Sequence, residues 1–126
     1  MNKHEYFIDR LSVRLAEAAE DEIIRACFIT GNITDQVKPD VEWAKTTLKT
    51  ANEVTEEELT IDNATQYLML LGDMLLVKLR QDLRKELGSV GENYTIPAGA
   101  IDGKVMFAIQ SAKNDMQAHD TINTNR

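Results

Sequence analysis

The sequence predicts a mainly α fold: a small helical bundle of three principal helices. A C-terminal extended segment then leads into a fourth helix or a β-hairpin. Three observations carry this. Apolar residues recur at spacings of three and four along three long stretches, the pattern of helices with one buried face. Aromatic residues are only 6% of the chain and there are two prolines, a thin supply for a many-stranded sandwich. The chain has 126 residues and 43% apolar content, enough for one packed core and too apolar for general disorder. A single domain over 1–118 is expected, with 119–126 as a frayed polar tail.

The first helix is placed at 4–28. Ile8, Leu11, Leu15, Ile23 and Cys27 share one stripe, while Arg10, Arg14, Glu17, Asp21 and Arg25 fall opposite. Gly31 is its stop. The second helix is placed at 39–52, with Pro39 at its first position and Asp40 and Glu42 in its first turn, where acids suit the helix dipole. Its stripe of Val41, Ala44, Leu48 and Ala51 is narrow, and Trp43 beside it needs a partner surface. Thr55 with Glu58, and Asn63 with Gln66, match capping boxes.

The third helix is placed at 62–87, closed by Gly88. Between Tyr67 and Val77 apolar side chains cover nearly its whole circumference, so its N-terminal half should be the centre of the core. Three helices cover such an element poorly, which leads to the expectation of a homo-oligomer, a dimer first. Gly88, Gly91, Gly99 and Pro97 make 88–101 an extended segment. Beyond it, Asp102-Gly103 between period-two residues reads as a hairpin turn, while Ile101, Val105, Ile109, Ala112 and Met116 read as a helix.

The formal net charge is −7, and all of it lies in residues 1–63, with 7 basic and 14 acidic side chains; residues 64–126 hold 7 of each. An acidic excess disfavours binding to nucleic-acid phosphate or to an anionic membrane. The acids of 53–62 have a counterpart in the basic cluster of Lys78, Arg80, Arg84 and Lys85, and contact between the two regions is expected, within one chain or between subunits. The single cysteine suits a reducing compartment. The N-terminus lacks the apolar stretch of a signal peptide. A cytoplasmic protein is the reading, of a cell or of a host cell if viral.

Asp73 lies next to Gly72 inside the most apolar stretch, where a carboxylate is costly unless paired, so it is a candidate ligand contact. Arg80, Arg84 and Lys85 are candidate contacts for a small anionic ligand. Tyr94 is another, because it sits in a glycine-flanked segment of the kind that carries binding residues. Glu17 and Glu20 stand one turn apart, as carboxylates that share a divalent ion do.

This Glu-x-x-Glu helix, with Asp73 on a later one, resembles the all-α nucleoside-triphosphate pyrophosphohydrolases, which pair Glu-x-x-Glu with a later Glu-x-x-Asp. Leu70 stands here where the second motif has its Glu. The resemblance covers two short motifs. It implies a Mg²⁺-dependent enzyme with Glu17, Glu20 and Asp73 as metal ligands. Without it no cofactor is expected and no catalytic set of residues is found. The main expectation is therefore a non-catalytic binding or assembly protein. Such a protein is a small oligomeric accessory protein that binds a protein partner or sequesters a small ligand.

Overall fold

A computed structural model of the chain describes residues 2–32, 37–97 and 99–124, with side chains through Asp120. Its helices are α1 (Lys3–Ile29), α2 (Val41–Thr55), α3 (Leu68–Leu87), the four-residue α4 (Ser89–Glu92) and α5 (Ala100–Thr124). Among the described residues there is no strand. The fold is mainly helical, and the β-hairpin alternative is corrected: Ala100 to Thr124 is one helix. The apolar positions Val105, Ala108, Ile109 and Ala112 fall on one helical face and all are buried. The hairpin would have put Asp102-Gly103 at a tight turn; instead the Gly103 amide donates to the Gly99 carbonyl at 3.0 Å, opening the helix.

Local chemistry sets the helix ends. Asn2 caps α1, its side chain accepting from the Glu5 amide at 2.8 Å. Gly31, at φ 79°, follows the helix end as expected. At α2 the cap is Asp40, which accepts from the Trp43 amide at 3.0 Å, so the helix starts two residues after Pro39. It also runs on to Thr55, whose hydroxyl bonds back to the Ala51 carbonyl and meets the Tyr67 hydroxyl at 3.0 Å. Thr55 thus ends a helix rather than beginning one. Asn63 likewise caps nothing through its side chain; it accepts from the Thr60 amide, and Ala64–Tyr67 form a 3-10 turn ahead of α3. The segment expected to be extended is helical at 89–92 and irregular only at 94–97.

The four long helices alternate in direction. His4 of α1 meets Glu58, beyond the far end of α2. Asp40 and Thr55, at opposite ends of α2, meet Lys78 and Tyr67 on α3. Along α1 and α5, Lys3 pairs with Asp120, Arg10 and Arg14 with Asp115, and Glu22 with Lys104, so these two run antiparallel. Tyr6 stacks on His119, ring centroids 4.1 Å apart. Helix α5 continues to Thr124, through most of the expected tail.

The centre of the core is α1, not α3. Phe7, Leu11, Leu15, Ala16 and Ala26 are fully buried along its length. Helix α3 buries one stripe, Leu71, Leu75, Leu79 and Leu83, and leaves Met69 78% and Val77 57% exposed. Both helices contact the other three long helices, but α1 packs most extensively along α5 and α2, whereas much of the packing of α3 is with the short α4. Helix α4 closes tightly on α3. A Cβ on Gly91 would collide with the Leu83 carbonyl, so only glycine permits that approach.

The polar seam of α1 and α5 has a pH signature. Hydrogen bonds from Arg14 hold the Asp115 carboxyl below its ordinary value of 3.8; burial opposes this, and Arg10 adds to the lowering. A lowered native pKa contributes stability that is complete above the unfolded value and is lost as pH falls through the native one. Asp40 behaves alike, through Lys78 first. Asp115→Asn is therefore expected to cost about 2 kcal/mol at pH 7 in denaturant unfolding. The gap to the unmodified chain should close as the pH is taken below 3.

Candidate functional site

Among the concave regions along α1, two gather charged side chains from its C-terminal half. The first is a polar cleft of about 180 Å³ between α1, the entry to α2, and α3. Ala16, Ala19 and Ile23 form its floor, and Glu20, Asp40, Lys78, Asp82, Lys85 and Glu86 carry its charge. Lys78 is its most constrained group. Burial alone would lower its pKa, but Asp40 at 2.8 Å and Asp82 at 3.2 Å outweigh that and raise it. Its ammonium also lies 5.6 Å from the centroid of the Trp43 ring, which supplies the partner that ring requires. On the cleft wall, burial pushes the Glu20 carboxyl up, with Asp21 and Glu17 adding to the effect.

The second region is a groove of about 340 Å³ between α1 and α5. Ala18, Asp21 and Arg25 line one wall and Ala100, Gly103, Lys104 and Phe107 the other. Beneath it lies Glu22, which is fully buried, with neither carboxylate oxygen hydrogen-bonded. Its compensation is ionic: the Lys104 ammonium is 3.3 Å from Oε2. Burial pushes the Tyr94 hydroxyl up, and the nearby Glu22 charge adds to this while Arg25 opposes it. Glu22, Lys104, Tyr94 and Arg25 are thus one electrostatic cluster joining α1, α5 and the segment after α4.

The residues singled out from sequence are dispersed between these regions. Glu20 and Lys85 line the cleft, and Tyr94 is half-buried beside the Glu22 cluster. Asp73 is exposed on α3, while its neighbour Gly72 is buried where a Cβ would touch the Ile101 side chain. Among the described residues no three His, Cys, Asp or Glu side chains are placed to hold a metal ion, and Asp73 does not join Glu17 and Glu20 there.

The basic cluster does not act as one grip. Arg80 donates to the Tyr94 carbonyl at 2.7 Å and Arg84 pairs with Glu92 at 2.9 Å, so both hold the α4 connection onto α3. Among the described residues, Lys78, Arg80, Arg84 and Lys85 form no ion pair with the acids of 53–62. That expected intrachain contact is corrected: Asp40 at the α2 cap takes Lys78, and Glu58 turns to His4.

Sequence reasoning grouped Glu22 with the other α1 carboxylates and passed over both its burial and Lys104. A signal was present for the burial. Glu22 stands seven residues after Leu15 and four before Ala26, on the buried stripe of α1. Lys104 carried no comparable mark, because its importance comes from what α5 packs against. No family model, no curated protein and no solved structure matches this chain.

The Glu22–Lys104 pair makes a specific demand on stability. Lys104→Met leaves a buried carboxylate without compensation and should destabilise the fold by about 3 kcal/mol. Adding Glu22→Gln to that variant should restore much of the loss, since the uncompensated charge is then gone. Urea unfolding of the two single variants and the double variant measures the coupling.

Proposed function

We propose that this chain is a non-catalytic, homo-oligomeric binding or assembly protein that works through its helical surface. The observation that supports it most is the pair of aromatic rings exposed over the α1–α5 face. Phe28 is 72% exposed and Phe107 71%. A folded chain that leaves large apolar groups in water on adjoining helices offers them to a partner. Helix α3 adds Met69 and Val77 on another side.

The charge pattern favours a protein partner over a small anion. The polar cleft holds Lys38, Lys78 and Lys85, but also Glu20, Asp40, Asp82 and Glu86. Two of those acids already occupy Lys78. An entering phosphate would meet more carboxylates than amines. The net charge of −7 argues in the same direction against nucleic acid.

Light scattering after gel filtration tests this reading. At micromolar concentration the mass should exceed the 14.2 kDa of one chain. Melting temperature should rise by roughly 5 °C over a hundredfold increase in concentration, as for any fold coupled to association. It should not move with Mg²⁺, Mn²⁺ or nucleoside triphosphates. Metal-dependent release of pyrophosphate, lost in Asp73→Asn, would overturn the non-catalytic reading, and a mass of one chain throughout would overturn the oligomeric one.

A further inference from the structure

The α1 wall of the groove has an order that complements its own reverse. Ala18, Asp21, Arg25 and Phe28 succeed one another at spacings of three, four and three residues. At 3.6 residues per turn, these positions fall within roughly 80° of arc, so they form one continuous stripe about 15 Å long. The stripe reads small, acidic, basic, large. Turned end for end about the level of Ile23, it reads large, basic, acidic, small. Each position then meets its opposite: Ala18 faces Phe28, and Asp21 faces Arg25.

We propose that this stripe is the contact surface for a second copy of the chain, docked antiparallel on α1 about a two-fold axis at the level of Ile23. This inference rests on the homo-oligomeric reading above and gives it an address. A two-fold contact uses the same patch on both subunits, so the patch must complement itself. This one does so in charge and in size together.

Three further observations fit a second copy as occupant. Asp21 and Arg25 are exposed, and among the described residues neither is in an ion pair, although they stand one turn apart on the same helix. Neither has an ion pair to give up on meeting the second copy, although Arg25 also acts on Tyr94 within the Glu22 cluster. Phe28 is 72% exposed, so the described residues leave most of its ring uncovered. The groove beside Ala18 offers that cover, with Phe107 as an apolar wall and the small residues Ala100 and Gly103 leaving room.

Gly103 is informative because nothing internal requires it. Its φ is not positive, and a Cβ there would meet no atom within 4 Å. Glycine weakens a helix relative to alanine. Its effect at this position, next to Lys104 and so level with Ile23, is to keep the groove open where the two copies would cross.

Charge reversal tests the arrangement by sedimentation equilibrium, with circular dichroism as the control that each variant keeps its helices. Asp21→Lys sets an amine opposite Arg25 of the second copy, and Arg25→Asp sets two carboxylates opposite each other. Each should weaken self-association by about tenfold or more. The double variant carrying both should recover most of that loss, because opposite charges again face each other. Phe28→Ser and Gly103→Leu should also weaken the dimer, the first by removing the ring and the second by filling the groove at the axis.

Self-association that tolerates both single reversals overturns the proposed surface and leaves the homo-oligomeric reading standing. An unmodified chain that stays monomeric at every concentration overturns both. Failure of the double reversal to recover what the single ones lose overturns the antiparallel register.

Discussion

Helix α1 has to be buried on several sides at once, and the seam it makes with α5 is what allows this. Arg10 and Arg14 hold Asp115 near one end, and Glu22 meets Lys104 nearer the other. Between them Leu11, Leu15 and Ala19 of α1 lie buried, as do Val105, Ile109 and Ala112 of α5. Ion pairs of this kind contribute modestly to stability, but they are demanding about position. They fix the register of two long helices whose apolar faces alone would tolerate sliding. With that register set, α2 and α3 close the rest of α1, and Tyr67 and Thr55 tie their ends together.

The same seam explains where the surface is unusual. A carboxylate as buried as Glu22, with no hydrogen bond to either oxygen, is costly to keep. It draws Lys104 of the groove wall to it, so the amine is held against α1 and only partly exposed. Ala18, Ala100 and Gly103 then leave the groove open, while Phe28 and Phe107 remain in solvent. A stabilising core and an unsatisfied outer face therefore sit on two sides of the same helix pair.

Much of the helical content was legible in the residues. The spacing of Leu11, Leu15 and Ile23 marked α1, and Gly31 and Gly88 marked the ends of α1 and α3. The position of the core was less so. The run from Tyr67 to Val77 is the most apolar in the chain, yet α3 buries the stripe Leu71, Leu75, Leu79 and Leu83 and leaves Met69 and Val77 exposed. Apolar density states what an element would bury if it could, and the face its neighbours cover decides how much it does. The basic cluster misled for a related reason. Lys78 and Lys85, seven residues apart and so on one face of the helix, both line the cleft with Asp40, whereas Arg80 and Arg84 turn to Tyr94 and Glu92, since successive helical positions turn by about 100°.

By itself the sequence determined that this is a mainly helical chain with an acidic first half, and it determined the glycine stops of α1 and α3, though not the N-terminal caps. Those properties depend on neighbours within a turn or two, and local spacing expresses them. The tertiary structure decided whether 100–124 became helix or hairpin, since both periodicities were present and the buried face offered by α1 and α3 selected one. It also decided which carboxylate would be buried against which amine, and which aromatic rings would be left uncovered. Such outcomes depend on residues some 80 positions apart, as Glu22 and Lys104 are, and no local pattern records that distance.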